Sequence, residues 1–175
     1  MKRWRMATLL SIALFCAGAS DVSDEVRATR VKVGEVAPVF LCRTIAGEEF
    51  SLEKEKGKVV LVNFFATWCG PCLEEIPHLQ KEIFKKYKDR KDFRLILIGR
   101  EHDTDELKKF QKEQKLSLPM APDPKRDIYG KYAEQYIPRN FVIGRDGRIK
   151  FSSAGFTEAD FRQLVRTLEK ELASP

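Results

Sequence analysis

The sequence feature that most limits how this chain can fold is a seven-residue apolar run, Val59–Phe65. Its β-branched and aromatic side chains favour a strand. A strand with one face in water alternates apolar and polar residues, but here only Asn63 interrupts the apolar side chains. The run therefore predicts a central strand covered on both faces, as in a parallel or mixed sheet with helices on either side.

The rest of the chain predicts helices alternating with strands. Short apolar runs bounded by turn residues predict strands at residues 39–42, 49–52, 95–99, 141–144 and 149–151. Apolar residues three and four apart predict helices over residues 73–87, 104–110 and 161–172. This order predicts an α/β fold with a central mixed sheet flanked by helices and a β-hairpin at its N-terminal end.

The N-terminus has the three parts of a secretory signal peptide. A basic start over residues 2–5 precedes an apolar stretch over residues 6–17 and then Ala17-Gly18-Ala19. The stretch is shorter than the ~20 residues that a membrane-spanning helix needs. We therefore expect residues 1–19 to be cleaved after Ala19 and the protein to be periplasmic, whereas a retained segment would tether it to the membrane.

One domain accounts for the remaining length. Residues 20–33 are polar and predict a flexible lead-in, and residues 34–175 contain no repeat or low-complexity linker. The formal charge of +6 includes three basic residues among the first five, so it does not indicate a nucleic-acid partner. Four cysteines are too few for a disulfide framework. We expect a monomer.

The motif Trp68-Cys69-Gly70-Pro71-Cys72 lies where the central strand ends and a helix begins. Two cysteines separated by two residues can close a small disulfide ring and reopen it. Backbone N–H groups and the dipole at a helix N-terminus favour a thiolate at Cys69. We therefore predict Cys69 as the attacking nucleophile and Cys72 as the thiol that resolves the mixed disulfide, with no other cofactor.

Two other interpretations of the cysteine pair remain. A structural zinc site needs four ligands, and the other candidates, Cys42, His78 and His102, are irregularly spaced. We therefore predict no metal. A purely structural disulfide would close so short a loop that it would stabilise the fold little.

Glu75 follows Cys72 by three residues and lies on the same helix face. A carboxylate buried there would have a raised pKa and could take the proton from Cys72. The alternative is a surface glutamate that the helix dipole favours. Asn63 is expected to form a hydrogen bond in the core.

Pro138 lies just before the strand predicted at residues 141–144. It either marks a loop or forms a cis Ile137–Pro138 bond that leaves the Ile137 backbone free to pair with an extended substrate. His78 and His102 have no thiol or carboxylate at a telling spacing and are expected to be structural or surface residues. Cys42 is expected to be buried and inert.

Together these motifs resemble the TlpA/ResA-like exported thiol-disulfide oxidoreductases, which have the thioredoxin fold. The resemblance rests on Gly34–Phe40, Asn63–Cys72, Glu75-Ile76-Pro77, Ile137-Pro138 and the Asp146-Gly147 turn, and it covers about 140 residues from Gly34 to Leu172.

The resemblance implies a role for Glu75 beside the inner cysteine and a cis Pro138. It also implies that Trp68, Gly70 and Pro71 line the substrate groove together with Ile137. Residues 101–126 resemble the family's mid-chain insertion, with a helix and an extra strand.

The function expected from the resemblance is reduction of protein disulfides, including a role in cytochrome c maturation, with a membrane thiol-electron donor recharging the dithiol. The Gly70-Pro71 dipeptide resembles that of reducing thioredoxins. The alternatives are a peroxiredoxin-like peroxidase, a thiol oxidase, and a peptide-binding module without catalysis.

Overall fold

The computed structural model describes residues 27–174, which contain a two-stranded hairpin and a five-stranded mixed sheet. The hairpin strands are β1 (Leu41–Arg43) and β2 (Glu49–Ser51). The sheet strands are β3 (Val59–Phe65), β4 (Phe93–Arg100), β5 (Met120–Asp123), β6 (Arg139–Ile143) and β7 (Ile149–Ala154). Their order is β5-β4-β3-β6-β7, in which β3, β4 and β5 are parallel and β6 is antiparallel to β3 and β7. The predicted α/β fold is therefore confirmed.

Helices cover both faces of this sheet. The α-helices are α1 (Gly70–His78), α2 (Lys85–Tyr87), α3 (Thr104–Glu113), α4 (Tyr129–Tyr132) and α5 (Glu158–Ala173). A 3-10 helix spans Leu52–Glu55, and a π-helix spans Leu79–Phe84 between α1 and α2. Apolar residues of α1, α3 and α5 pack on one face, while those of α4 and the hairpin pack on the other.

Strand β3 lies in the middle of the sheet, and all of its residues are buried. Its side chains alternate between the two faces, so that Leu61 packs in one apolar cluster and Val62 in the other. The prediction of a strand covered on both faces is confirmed. Because β3 is central and rigidly packed, the loop after Phe65 begins from a fixed position.

The segment after β4 contains the predicted insertion. Helix α3 begins with a capping box in which Asp103 and Glu106 each bond to the other's backbone N–H. Strand β5 then pairs in parallel with β4 at the sheet edge. A helix and an extra strand are therefore present between residues 101 and 126, as the resemblance implied.

Residues 27–33, the described part of the lead-in predicted over residues 20–33, pack against the domain. Ala28 and Val31 are buried. The three apolar residues of this stretch, Ala28, Val31 and Val33, form no regular pattern among the polar ones, so the sequence did not indicate this packing. The predicted signal peptide, residues 1–19, lies outside the described residues. None of the helices within residues 27–174 is long and apolar enough to cross a membrane.

Candidate active site

The two cysteines of the motif lie at the start of α1, directly beyond the end of β3. Cys69 is the N-cap residue, and its Sγ accepts a hydrogen bond of 3.3 Å from the backbone N–H of Cys72. Pro71 lies in the first turn of α1, where its missing backbone N–H would have had no partner within the helix. A disulfide joins Cys69 to Cys72, with their Cα atoms 5.3 Å apart.

The two sulfurs differ in accessibility. Cys69 retains 7% of its surface exposed, whereas Cys72 has none. A partner thiol or disulfide can therefore reach Cys69 first, and Cys72 can react only with a group already attached to Cys69. The backbone N–H beside Cys69 would stabilise a thiolate there, as expected at a helix N-terminus.

The surface around Cys69 brings together the residues predicted to meet a substrate. Trp68 is 62% exposed, and Gly70 and Pro71 are also exposed. The Ile137–Pro138 peptide bond is cis, as predicted, and the carbonyl oxygen of Ile137 lies 3.6 Å from Cys69 Sγ. The half-buried Ile137 thus flanks the accessible sulfur from a different part of the chain.

Glu75 is buried behind the cysteine pair, which excludes the surface-glutamate interpretation. Its Oε2 accepts a hydrogen bond of 2.9 Å from Asn63 Nδ2, and its Oε1 accepts one of 2.6 Å from Asn140 Nδ2. Burial raises the pKa of the carboxyl to about 7, while the bonds from Asn140 and Asn63 act in the opposite direction. The carboxyl can therefore both hold and release a proton near neutral pH.

Asn140 is a site residue that sequence reasoning missed. Strands β3 and β6 pair with Asn63 opposite Asn140, and a hydrogen bond of 2.9 Å joins Asn63 Nδ2 to Asn140 Oδ1. The available signal was a polar residue at the start of an apolar strand, two positions after Pro138. Only the register of the two strands reveals that both amides contact Glu75.

The end of β4 contacts the cysteine loop from the side. His102 is buried, and its Nε2 lies 3.0 Å from the backbone nitrogen of Thr67, which donates to it. The guanidinium of Arg100 lies over the Trp68 ring, 5.7 Å from its centroid. Sequence reasoning did not connect these two residues to the motif, because they lie about thirty positions beyond it.

The remaining candidates lie apart from this site. Cys42 is half-buried rather than fully buried, and burial, with a smaller effect of Asp123, raises the pKa of its thiol to about 11. It is therefore unreactive at neutral pH. His78 pairs with Glu82 at 2.7 Å, and both side chains are partly exposed. Among residues 27–174, no group of three or more His, Cys, Asp and Glu residues is arranged to hold a metal ion.

The chain is similar to known thiol-disulfide oxidoreductases. Residues 33–152 match the AhpC/TSA family. The thiol-disulfide oxidoreductase ResA of a Bacillus cereus strain is 33% identical over 141 residues, which are 81% of this chain and 79% of that protein.

Solved structures agree with this similarity. A solution structure of a Bacteroides thetaiotaomicron protein is 36% identical, with a TM-score of 0.81 over 84% of this chain and 94% of the other. A thiol:disulfide interchange protein of the thioredoxin family from Chlorobium tepidum TLS is 28% identical, with a TM-score of 0.66 over 82% of this chain and 99% of the other. The fold is thus that of thioredoxin, as the resemblance implied.

Proposed function

This chain belongs to the AhpC/TSA family as a thiol-disulfide oxidoreductase of the ResA type, and we propose that it is an exported reductant of protein disulfides. One observation carries the proposal: an accessible and a fully buried cysteine share the first turn of α1, with a buried carboxyl one turn behind them. This arrangement supplies a nucleophile, a resolving thiol and a proton acceptor in the order in which disulfide reduction uses them.

The first step is attack by Cys69. In the reduced protein its thiolate attacks one sulfur of the substrate disulfide, forms a mixed disulfide, and displaces the other substrate sulfur as a thiolate that takes a proton from water. Trp68, Gly70 and Pro71 would contact the substrate around the sulfur. The backbone of Ile137, beside the cis Pro138, would pair with an extended substrate segment.

The second step releases the substrate. Ionised Glu75 takes the proton of the Cys72 thiol, and the resulting thiolate attacks Cys69 Sγ. The bond between Cys69 and the substrate breaks, and the second substrate sulfur leaves as a thiolate that also takes a proton. Two electrons have then passed from the protein to the substrate, and the protein holds the Cys69–Cys72 disulfide seen in the structure.

The cellular setting proposed for this reaction is based on the N-terminal sequence and the family resemblance. Residues 1–19 would direct export and be removed, leaving a lead-in of residues 20–33 and the thioredoxin-like domain of residues 34–175. A membrane thiol-electron donor would then return the disulfide to the dithiol. Cytochrome c maturation is the proposed pathway, with disulfide-containing proteins as the substrates.

The experiment that tests the proposal traps the intermediate. Cys72→Ser removes the resolving thiol, so we expect a mixed disulfide to accumulate through Cys69 on addition of a disulfide-bonded protein substrate. Mass spectrometry under non-reducing conditions would detect the adduct. Cys69→Ser is the matched control and should form none. If Cys72→Ser forms no adduct and the wild type does not reduce a model disulfide, the proposal is wrong.

The direction of the reaction is tested separately. The reduction potential of the Cys69/Cys72 pair, measured together with its oxidation state in cells, should show a mainly reduced pair. A mainly oxidised pair would instead indicate an oxidase or a structural bond. Consumption of hydrogen peroxide much faster than by a simple dithiol would indicate a peroxidase.

A further inference from the structure

The loop that carries Cys69 is held from the side by a histidine on a neighbouring strand's turn. Strands β3 and β4 are parallel, with Phe65 opposite Gly99, so the turns at their C-terminal ends lie next to each other. Thr67 lies two residues beyond this pair on one turn, and His102 lies three residues beyond it on the other. The backbone N–H of Thr67 donates to His102 Nε2 over 3.0 Å.

This contact determines the protonation state of the ring. A backbone N–H can only donate, so Nε2 must present its lone pair to Thr67. The other ring nitrogen, Nδ1, lies 3.3 Å from Glu106 Oε2. Because a carboxylate oxygen accepts hydrogen bonds, Nδ1 is the nitrogen that carries the proton and donates. The Thr67 hydroxyl, whose Oγ1 lies 3.3 Å from Nε2, can donate to the same lone pair. These contacts together assign His102 as a neutral imidazole with its proton on Nδ1.

The ring has little freedom to adopt any other arrangement. Only 6% of the His102 side chain is exposed. Glu106 is 57% exposed, but its Oε2 also accepts a 2.9 Å hydrogen bond from the Asp103 N–H in the capping box of α3. A hydrogen-bonded connection therefore runs from the start of α3 through the imidazole to the backbone of Thr67.

The position of Thr67 matters for the chemistry because Thr67 shares a turn with the reactive cysteine. The turn is closed by a hydrogen bond of 3.2 Å from the Cys69 N–H to the Ala66 carbonyl. Thr67 lies inside this turn, so its position affects where Cys69 meets the first turn of α1 and the Ile137 carbonyl. A displaced loop would move Cys69 Sγ away from the Cys72 N–H that bonds to it.

We propose that His102 is a positioning residue for the dithiol, acting through the acceptor that its neutral Nε2 offers to the Thr67 N–H. It touches neither sulfur in this role. The inference rests on the proposed function, since it concerns the loop that presents Cys69 for attack.

The first test examines the wild-type ring directly. The chain contains two histidines, so ¹⁵N-detected NMR of the oxidised protein at neutral pH gives two assignable imidazoles. We expect the His102 shifts of an Nδ1–H tautomer with an unprotonated Nε2, and a scalar or cross-peak connection from that nitrogen to the Thr67 amide proton. His78, which pairs with Glu82 near the surface, serves as the internal reference. A proton on Nε2 of His102 would overturn the proposal.

The second test compares two substitutions of similar size. His102→Gln can place an amide oxygen near the position of Nε2 and accept the Thr67 N–H, whereas His102→Leu cannot. We expect His102→Leu to slow attack of Cys69 on a small aromatic disulfide by about tenfold, the effect of losing one hydrogen bond. We expect His102→Gln to stay within about twofold of the wild type, because it restores the acceptor.

Controls separate this inference from the proposed function and from a general loss of stability. His78→Gln, at the partly exposed C-terminal end of α1, should react like the wild type. Attack would be measured under conditions where circular dichroism shows each variant to be folded. An inert wild type would mean that the proposed function is wrong, whereas an active wild type with His102→Leu equally fast would mean that His102 does not position the loop. Equal loss in His102→Leu and His102→Gln would also contradict the acceptor role.

Discussion

At the scale of single residues, the carboxyl of Glu75 lies between two opposing effects. Burial disfavours its charged form, and the amide N–H groups of Asn63 and Asn140 favour that form by donating to both oxygens. The net result is a pKa of about 7, so the group changes its charge close to neutral pH. Asn140 and Asn63, which lie on two strands, thus lower the pKa of a carboxyl on the helix that they face.

The first residue-scale prediction concerns the pH dependence of the second step. Glu75 accepts a proton only when it is ionised, so the rate at which Cys72 resolves a preformed mixed disulfide should rise as pH increases through about 7. Above that pH the wild-type rate should level off. Glu75→Gln cannot accept the proton, so Cys72 must lose it to the solvent, and we expect resolution to be about a hundredfold slower at pH 7, with no levelling of the rate there. Stopped-flow release of a chromophoric thiol measures the rate.

The neighbouring Glu74 provides a matched control, because it is exposed on the same helix. Glu74→Gln should keep both the rate and its rise with pH. A Glu75→Gln variant whose rate still levels off near pH 7 would mean that another group deprotonates Cys72.

At the scale of elements, the end of β4 is fitted closely to α3. A Cβ on Gly99 would lie 2.6 Å from Leu107 Cδ2, and Leu107 is fully buried. Glycine is therefore required here by the close approach of the helix. His102 lies on the turn between Gly99 and the start of α3.

We predict that Gly99→Ala destabilises the fold by about 1–3 kcal/mol, because Leu107 must move within a packed cluster. Urea denaturation followed by circular dichroism measures the change. Gly130→Ala is the control: it lies in α4 with no atom within 4 Å of the added carbon, so its effect should be neutral or stabilising by up to ~1 kcal/mol. Equal stabilities of the two variants would contradict this account of the packing.

At the scale of the whole molecule, the segment before residue 34 is joined to the strand that carries Asn140. Arg139 is fully buried at the start of β6, directly after the cis Pro138. Its guanidinium donates to Thr29 Oγ1 over 2.6 Å, and its Nε donates to the Gln135 carbonyl over 2.9 Å. The N-terminal segment thereby supports the loop that flanks Cys69.

We therefore predict that two N-terminal truncations behave differently. A chain beginning at Ser20, which matches the proposed cleavage, should fold and catalyse like the intact protein. A chain beginning at Gly34 loses the buried Ala28 and Val31 and the bond to Arg139, and should be less stable by about 3 kcal/mol or more. Thermal and urea denaturation of the two purified chains measure the difference. Equal stability would mean that residues 27–33 contribute nothing to the fold.

The amino-acid sequence by itself determined the central strand, the helix that starts at the cysteine pair, and the order of helices and strands. These result from local chemistry: an unbroken apolar run must be buried on both faces, and a cysteine before a helix start meets its free N–H groups. The cis bond at Pro138 was inferred from the family resemblance, since local sequence left a simple loop equally open.

Only the tertiary structure decided which polar groups surround the dithiol. Asn140 reaches Glu75 from 65 positions away, and His102 reaches Thr67 from 35 positions away. Neither residue has a local pattern that reveals its partner, because a polar side chain in a buried strand or turn is satisfied by whatever the strand register places opposite it. The sequence therefore identified the sulfurs that react, and the register of β3 with β6 and β4 determined the groups that hold and tune them.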